Sequence, residues 1–92
     1  MIKNISFIVP AKDEHENLKK LIPYLIKFSE NKNCLYQIIV VQGVDTDIDT
    51  NLFCKKYNLE IINRKHETFK DALILGIEKS EYETLVTLDA DL

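Results

Sequence analysis

Four short, mostly apolar runs alternate with three segments in which apolar residues recur at helical spacing. The runs lie at residues 5–9, 37–41, 59–62 and 84–88. Each is too short for a typical helix and rich in β-branched residues, so each predicts a strand. Strands that alternate with helices are typical of a parallel sheet covered on both faces. The sequence therefore predicts an open, mainly parallel α/β sheet of order βαβαβαβ, with helices on both faces.

The segments between the strands carry helix signals. Asp13 with Glu16 resembles a capping pair ahead of the first helix, and Thr68 with Asp71 resembles one ahead of the third. Pro23 lies inside the first helical pattern and predicts a kink or a division of that helix. The second helix is expected to follow a cap at Thr46 or Asp47 and to have an apolar face of Ile48, Leu52 and Phe53.

Length and composition limit the classes of function. The 92 residues suit one domain spanning residues 1–92, and 46% hydrophobic residues allow a buried core. The net charge of −3, without a basic stripe, argues against nucleic-acid binding. Cys34 and Cys54 lack metal-ligand spacing and are predicted to be reduced thiols of a cytoplasmic protein. His15 and His66 are predicted to be solvated loop residues.

Asp89 and Asp91 directly follow the last strand pattern. At positions i and i+2 of a strand end they point to the same side, about 7 Å apart. Two such charges repel each other by about 2 kcal/mol at an effective dielectric constant near 20. A divalent cation relieves that repulsion, and Mg²⁺ and Mn²⁺ prefer oxygen ligands. The pair therefore predicts a metal site; the alternative is that it caps a following helix.

Polar residues follow three of the predicted strands, at residues 10–14, 42–47 and 89–91. Ligands of open parallel sheets bind beyond the carboxyl ends of the strands, where the strand order reverses. The acidic loops after the first and fourth strands would face one crevice if these strands were neighbours. The sequence alone does not establish that adjacency.

Four segments have the order and spacing of a known set of motifs. They are Ile8-Val9-Pro10-Ala11-Lys12-Asp13-Glu14, Val40-Val41-Gln42-Gly43-Val44-Asp45-Thr46-Asp47, residues 69–77, and Leu88-Asp89-Ala90-Asp91-Leu92. Together they resemble the amino-terminal half of family 2 glycosyltransferases of the GT-A fold. The branch they resemble most contains the dolichyl-phosphate-mannose synthase-like and polyprenyl-phosphate sugar transferases. The resemblance covers essentially the whole chain and implies the Rossmann-like half of that fold, truncated after the fourth strand.

The resemblance implies a nucleotide pocket lined by Pro10, Ala11 and Glu14, with Glu14 near the ribose. Glu14 as a plain first-turn residue, favoured by the helix dipole, is the alternative. The family's second strand usually ends in an acidic pair that contacts the base, and here those positions hold Gln42 and Gly43. The Gln42 amide can hydrogen-bond a base, or it can be a solvated strand-end residue.

The resemblance also implies a metal-dependent reaction. Asp91 would bind the divalent Mn²⁺ or Mg²⁺ ion that bridges the diphosphate, and Asp89 would contact the ribose or share that metal. The donor would be a UDP- or GDP-sugar, with a lipid phosphate at the membrane surface as the acceptor. The acceptor half and its catalytic base would follow Leu92, so no catalytic residue is assigned and the chain alone is expected to be inactive.

A different class of function remains open. The chain is alternatively a non-catalytic remnant, a small α/β module that binds a nucleotide or a protein partner. Gln42 and Gly43 favour this alternative because the usual carboxylates are absent. In either case the exposed edge of the fourth strand predicts self-association.

Overall fold

The computed structural model describes residues 4–11, 15–42, 48–63 and 68–88, and only the backbone of Ile48. The described elements alternate in the predicted order βαβαβαβ. Their bounds are β1 (Asn4–Pro10), α1 (His15–Asn31), β2 (Leu35–Gln42), α2 (Ile48–Lys56), β3 (Glu60–Asn63), α3 (Phe69–Lys79) and β4 (Thr84–Thr87).

The four described strands form one sheet in the order β3-β2-β1-β4, and every neighbouring pair is parallel. In the centre of β1, Phe7 lies opposite Ile38 of β2 on one side and Val86 of β4 on the other. The first and fourth strands are therefore neighbours. This adjacency was the condition for their acidic loops to face one crevice. The predicted fold class is confirmed.

The two faces of the sheet have separate cores. Alternate residues of β1 point to opposite faces, as the strand period requires. Phe7 and Val9 pack with Leu18 of α1 and Cys54 of α2, whereas Ile8 packs with Ala72 of α3. Helices α1 and α2 thus cover one face and α3 covers the other. We call the side with α1 and α2 the two-helix face.

Asparagine ends both helices of the two-helix face. Asn33 and Asn58 have φ values of 55° and 56°, a left-handed conformation that asparagine tolerates better than most residues. The N–H of Cys34 donates to the Ser29 carbonyl at 2.9 Å, and the N–H of Leu59 donates to the Cys54 carbonyl at 2.9 Å. These are the long-range bonds of the Schellman motif, which returns the chain towards the next strand.

The helix predictions have mixed outcomes. The N–H of Asp71 donates to the Thr68 hydroxyl at 3.1 Å, so the cap of α3 is confirmed. The cap expected at Asp13 lies outside the described residues. The predicted division of the first helix at Pro23 is wrong, because α1 runs as one helix of 17 residues.

The predicted apolar face of α2 is only partly right, because Phe53 packs against the core of the two-helix face but Leu52 does not. Leu52 is 58% exposed, while Thr50 and Cys54 are 3% and 1% exposed. Positions four apart share one side of a helix and a residue midway between them lies on the opposite side. The buried side of this nine-residue helix therefore contains a hydroxyl and a thiol, which a search for large apolar residues overlooks.

Helix α3 approaches the sheet very closely at Gly76. A Cβ atom built at Gly76 would lie 2.3 Å from Cγ2 of Ile8 and 3.3 Å from Cβ of the same residue. Ile8 is 0% exposed and β-branched, so its side chain has little freedom to move away. Glycine at this position therefore permits the separation between α3 and β1.

A polar network joins the elements at the amino edge of the sheet, with the Gln37 amide at its centre. The Gln37 Nε2 donates to Glu60 Oε2 at 3.0 Å and to the Lys79 carbonyl at 3.1 Å. Its Oε1 accepts from the Ser6 hydroxyl at 2.7 Å and from the Glu81 N–H at 2.8 Å. All four hydrogen-bonding positions of this amide are therefore used.

Neither cysteine forms a disulfide within the described residues, and both are buried. Burial raises the pKa of the Cys54 thiol from 9.0 to about 11. Because the folded protein holds this proton more tightly than the unfolded chain, the protonated Cys54 thiol makes its full contribution to the free energy of unfolding below pH 9. It is lost as the pH rises through the folded pKa.

We therefore expect the Cys54 thiol to react slowly with iodoacetamide. In a Cys34→Ser variant, alkylation at pH 8 should be at least about a hundredfold slower in the folded protein than in urea, because the thiolate is the nucleophile. Mass spectrometry of timed samples measures the two rates. Equal rates would mean that α2 does not shield this thiol.

Candidate functional site

Three strands end at one edge of the sheet. Pro10 is the last residue of β1 and Gln42 the last of β2. Just beyond β4, the N–H of Leu88 donates to the Ile8 carbonyl at 3.0 Å, which holds the chain beside β1 as it leaves the sheet. Because helices follow these strands, α1 and α2 begin at this edge and direct the positive ends of their dipoles towards it. This carboxyl edge is where parallel sheets bind ligands.

Pro10 and Ala11 continue β1 to this edge, with their side chains on opposite faces of the sheet. Pro10 lies opposite Val41 and, as a proline, has no N–H to donate. The N–H of Ala11 donates to the Val41 carbonyl at 2.9 Å and continues the ladder by one residue. Ala11 is only 2% exposed and packs in the core of the two-helix face.

Gln42 is the most unusual side chain at this edge. It is 2% exposed and points to the two-helix face, as Ile38 and Val40 do. Neither its Oε1 nor its Nε2 has a hydrogen-bond partner among the described residues. An unsatisfied buried polar group costs about 1–3 kcal/mol, which makes Gln42 a candidate for contact with a bound molecule or a buried water. The alternative of a solvated strand-end residue is wrong.

A second buried polar atom lies on the same face at the start of α1. The Nδ1 atom of His15 has no hydrogen-bond partner among the described residues. The ring meets Phe53 of α2 edge to face, with centroids 6.0 Å apart. His15 is thus a half-buried helical residue, and its prediction as a solvated loop residue is wrong.

The structure brings together three of the predicted nucleotide-binding residues: Pro10, Ala11 and Gln42. Glu14, Asp89 and Asp91 lie outside the described residues, so their roles stay predictions. Within residues 4–11, 15–42, 48–63 and 68–88, no three His, Cys, Asp or Glu side chains lie close enough to bind a metal ion. The metal site predicted at Asp89 and Asp91 therefore stays a prediction.

Both buried polar residues had a signal in the sequence. Gln42 has the same parity along β2 as Ile38 and Val40, so an inward orientation follows if the strand continues to its end. His15 precedes Leu18 by three residues and Ile22 by seven, which places it on the buried stripe of α1. Extending the strand periodicity to the end of β2 and the helix periodicity to the start of α1 would have identified both residues.

No helix of the described part has the length and apolarity needed to cross a bilayer.

Known proteins resemble this chain along nearly its whole length. Residues 6–92 match the family Glycosyl transferase family 2. An undecaprenyl-phosphate 4-deoxy-4-formamido-L-arabinose transferase of Proteus mirabilis is 26% identical over 98 residues, which cover 99% of this chain and 30% of the relative. A dolichol-phosphate mannosyltransferase of Pyrococcus furiosus is 29% identical over 92 residues, which cover 96% of this chain and 26% of the relative.

The chain thus spans under a third of the length of these relatives. The match to the family nevertheless covers the strands, the helices and the carboxyl edge described above. The chain belongs to glycosyl transferase family 2.

Proposed function

We propose that the carboxyl edge binds the nucleoside diphosphate of a sugar donor, and that the chain is the donor-binding part of a glycosyltransferase. The two relatives are named as transferases of undecaprenyl phosphate and dolichol phosphate. These names support a lipid phosphate as the acceptor. A cytoplasmic location belongs to the same proposal, because two buried, reduced thiols suit a reducing compartment.

The buried amide of Gln42 is the observation that carries the proposal. A core position normally holds an apolar residue or a polar residue with protein partners. Gln42 is polar and has no hydrogen-bond partner within the described structure. It also ends a central strand of a parallel sheet. A nucleobase offers donors and acceptors on one edge and an apolar ring that can pack beside Ala11 on the two-helix face.

The diphosphate would bind beside the base. The amino ends of α1 and α2 favour negative charge at this edge. The carboxylates of Asp89 and Asp91 form a donor set of hard oxygen atoms that suits Mg²⁺ or Mn²⁺. When bound, such an ion would neutralise charge on the leaving diphosphate. In this proposal Asp91 binds the metal, Asp89 shares it or contacts the ribose, and Glu14 lies near the ribose.

Calorimetry tests donor binding directly. The chain is titrated with UDP and GDP at millimolar concentration, each with and without Mn²⁺. Heat of binding and a rise in melting temperature that depend on Mn²⁺ are the expected result. Absence of both signals for both nucleotides would contradict the proposal.

We expect Asp91→Ala to lower Mn²⁺ affinity more than Asp89→Ala. Without metal, both variants should be as stable as the parent or slightly more stable, because each removes a repulsion of about 2 kcal/mol. Calorimetry measures the metal affinity and chemical denaturation the stability. Glu83→Ala, which removes an exposed carboxylate before β4, is the matched control. A clear loss of stability in both aspartate variants would mean that the carboxylates act as caps.

The second candidate function is a non-catalytic module that binds a nucleotide or a protein partner. It is favoured by the neutral amide at Gln42, where the family usually has a carboxylate. Turnover of a panel of nucleotide-sugars with a polyprenyl-phosphate acceptor distinguishes the two. Sugar transfer needs a base within reach of the attacking hydroxyl, so transfer would support the enzyme, and nucleotide binding without transfer would support the module.

Self-association is the remaining part of the proposal. Within the described part of the chain, β4 has only β1 as a neighbour, so its other edge presents backbone groups to a further strand. Leu85 is 38% exposed on that strand. Light scattering would detect the resulting oligomers.

A further inference from the structure

We infer that Gln42 makes the base position accept cytosine as well as uracil, so that cytidine diphosphates belong to the ligands of this site. The inference rests on the proposed function and specifies its substrate class. It follows from two properties of the side chain, its burial and the pairing of one donor with one acceptor.

The structure contains an internal comparison for this amide. Gln37 and Gln42 belong to the same strand; Gln37 is half-buried and Gln42 is buried. The protein satisfies every hydrogen-bonding position of Gln37, through Ser6, Glu60, Lys79 and Glu81. It satisfies neither amide atom of Gln42 from the described residues. The fold can thus supply partners to a glutamine of β2, and at Gln42 those positions are left for another molecule.

The amide chemistry limits what that molecule offers. Oε1 accepts and Nε2 donates, so a ligand edge that pairs with both atoms has a donor beside an acceptor. Uracil has this arrangement at N3–H and its carbonyl. Cytosine has it at the N4 amino group and N3, in the opposite order, and a rotation of the amide accommodates either order. A carboxylate only accepts and would direct an oxygen at the cytosine N3 lone pair.

Charge and burial support the same conclusion. Gln42 is 2% exposed, where a carboxylate would be costly to keep ionised. A neutral amide also adds no repulsion against a diphosphate. Because an amide does not titrate, its contact with the base is independent of pH.

The test compares CDP, UDP and GDP in calorimetric titrations with Mn²⁺, for the parent, Gln42→Glu and Gln42→Met. The parent is expected to bind CDP and UDP with similar affinity. Gln42→Glu should lose affinity for CDP by about tenfold or more, the discrimination that one bidentate base contact provides, while keeping UDP. Gln42→Met has no hydrogen-bonding atoms at this position and should weaken both pyrimidine nucleotides together.

A pH series supplies a second readout. Burial raises the pKa of a glutamic acid, and the protonated acid has a donor and an acceptor as the amide has. The affinity of Gln42→Glu for CDP, relative to the parent, should therefore recover as the pH falls from about 8 to about 5.5. A merely structural role for Gln42 would produce the same recovery for UDP and CDP, whereas a contact with the base confines the recovery to CDP.

The outcomes distinguish failure of the proposed function from failure of the inference about cytosine. If the parent binds none of the three nucleotides with Mn²⁺, the proposed function fails and the inference with it. If it binds UDP or GDP but not CDP, the inference alone is overturned. Equal affinity of the parent and Gln42→Met for UDP and CDP would also overturn it, because the amide would then serve only a buried water.

Discussion

Replacing Gln42 with methionine should raise the free energy of unfolding of the ligand-free chain by about 1–2 kcal/mol. The variant keeps the length of the side chain and removes a buried amide that has no hydrogen-bond partner among the described residues. Such an amide costs about 1–3 kcal/mol in the folded state, whereas a thioether at the same place is apolar and adaptable.

The same replacement at Gln37 should lower the free energy of unfolding, by about 2–3 kcal/mol. Four hydrogen bonds disappear, one of them to the Glu60 carboxylate, and water replaces them only in part because Gln37 is half-buried. The two variants share their chemistry and their strand, so a difference in sign between them isolates the state of each amide.

Urea denaturation of both variants, with the parent, measures these changes. A rise in the midpoint for Gln42→Met without a change in slope would show a genuine gain in stability. Destabilisation of both methionine variants would show that Gln42 has protein partners, and it would contradict an open ligand position at Gln42. Nucleotide binding should change in the opposite direction to stability at Gln42, a common trade-off at functional sites.

Gly76→Ala should lower the free energy of unfolding by about 1–2 kcal/mol, although alanine is the better helix former. The new Cβ would lie 2.3 Å from Cγ2 of Ile8, a distance that forces the helix or the strand to move. Overpacking of this kind costs about 1–3 kcal/mol, and the gain in helix propensity is at most about 1 kcal/mol. For a domain of this size the melting temperature should fall by roughly 4–8 °C per kcal/mol.

A double-mutant cycle with Ile8→Ala identifies the cause. Ile8→Ala alone should be strongly destabilising, by about 2–5 kcal/mol, because it leaves a cavity in the core. In that background Gly76→Ala should become neutral or stabilising, since the methyl group it collides with is gone. Additive effects would mean that α3 adjusts freely and that its close approach to β1 is not fixed by Gly76.

The sequence predicted the fold better than the site. Hydrophobic runs and helix signals determine element type, and they located all seven elements within a few residues. They were incomplete at α2, where a short helix buries Thr50 and Cys54, and a division at Pro23 is wrong because the first helix continues through it. The position of β4 beside β1 depends on the path of α3 across the sheet, which periodicity within single segments does not encode.

The site was only partly predictable for a related reason. Resemblance pointed to Gln42, and strand parity indicates which face it occupies. The absence of protein partners depends on residues from several elements and is seen only in the folded structure. The contact of Ile8 with Gly76 is likewise a property of two distant segments, so neither residue appears unusual in the sequence.

The pairing of β1 with β4 has a consequence for synthesis of the protein. The N–H of Tyr82 donates to the Ser6 hydroxyl at 3.1 Å, a bond between residues 76 positions apart. On the ribosome, β1 can pair with β2 early, but its other edge stays open until β4 has emerged, on the order of seconds later. During that interval the edge can pair with a neighbouring nascent chain. Slower translation lengthens this interval, so the soluble yield should fall when the synthesis of β4 is delayed.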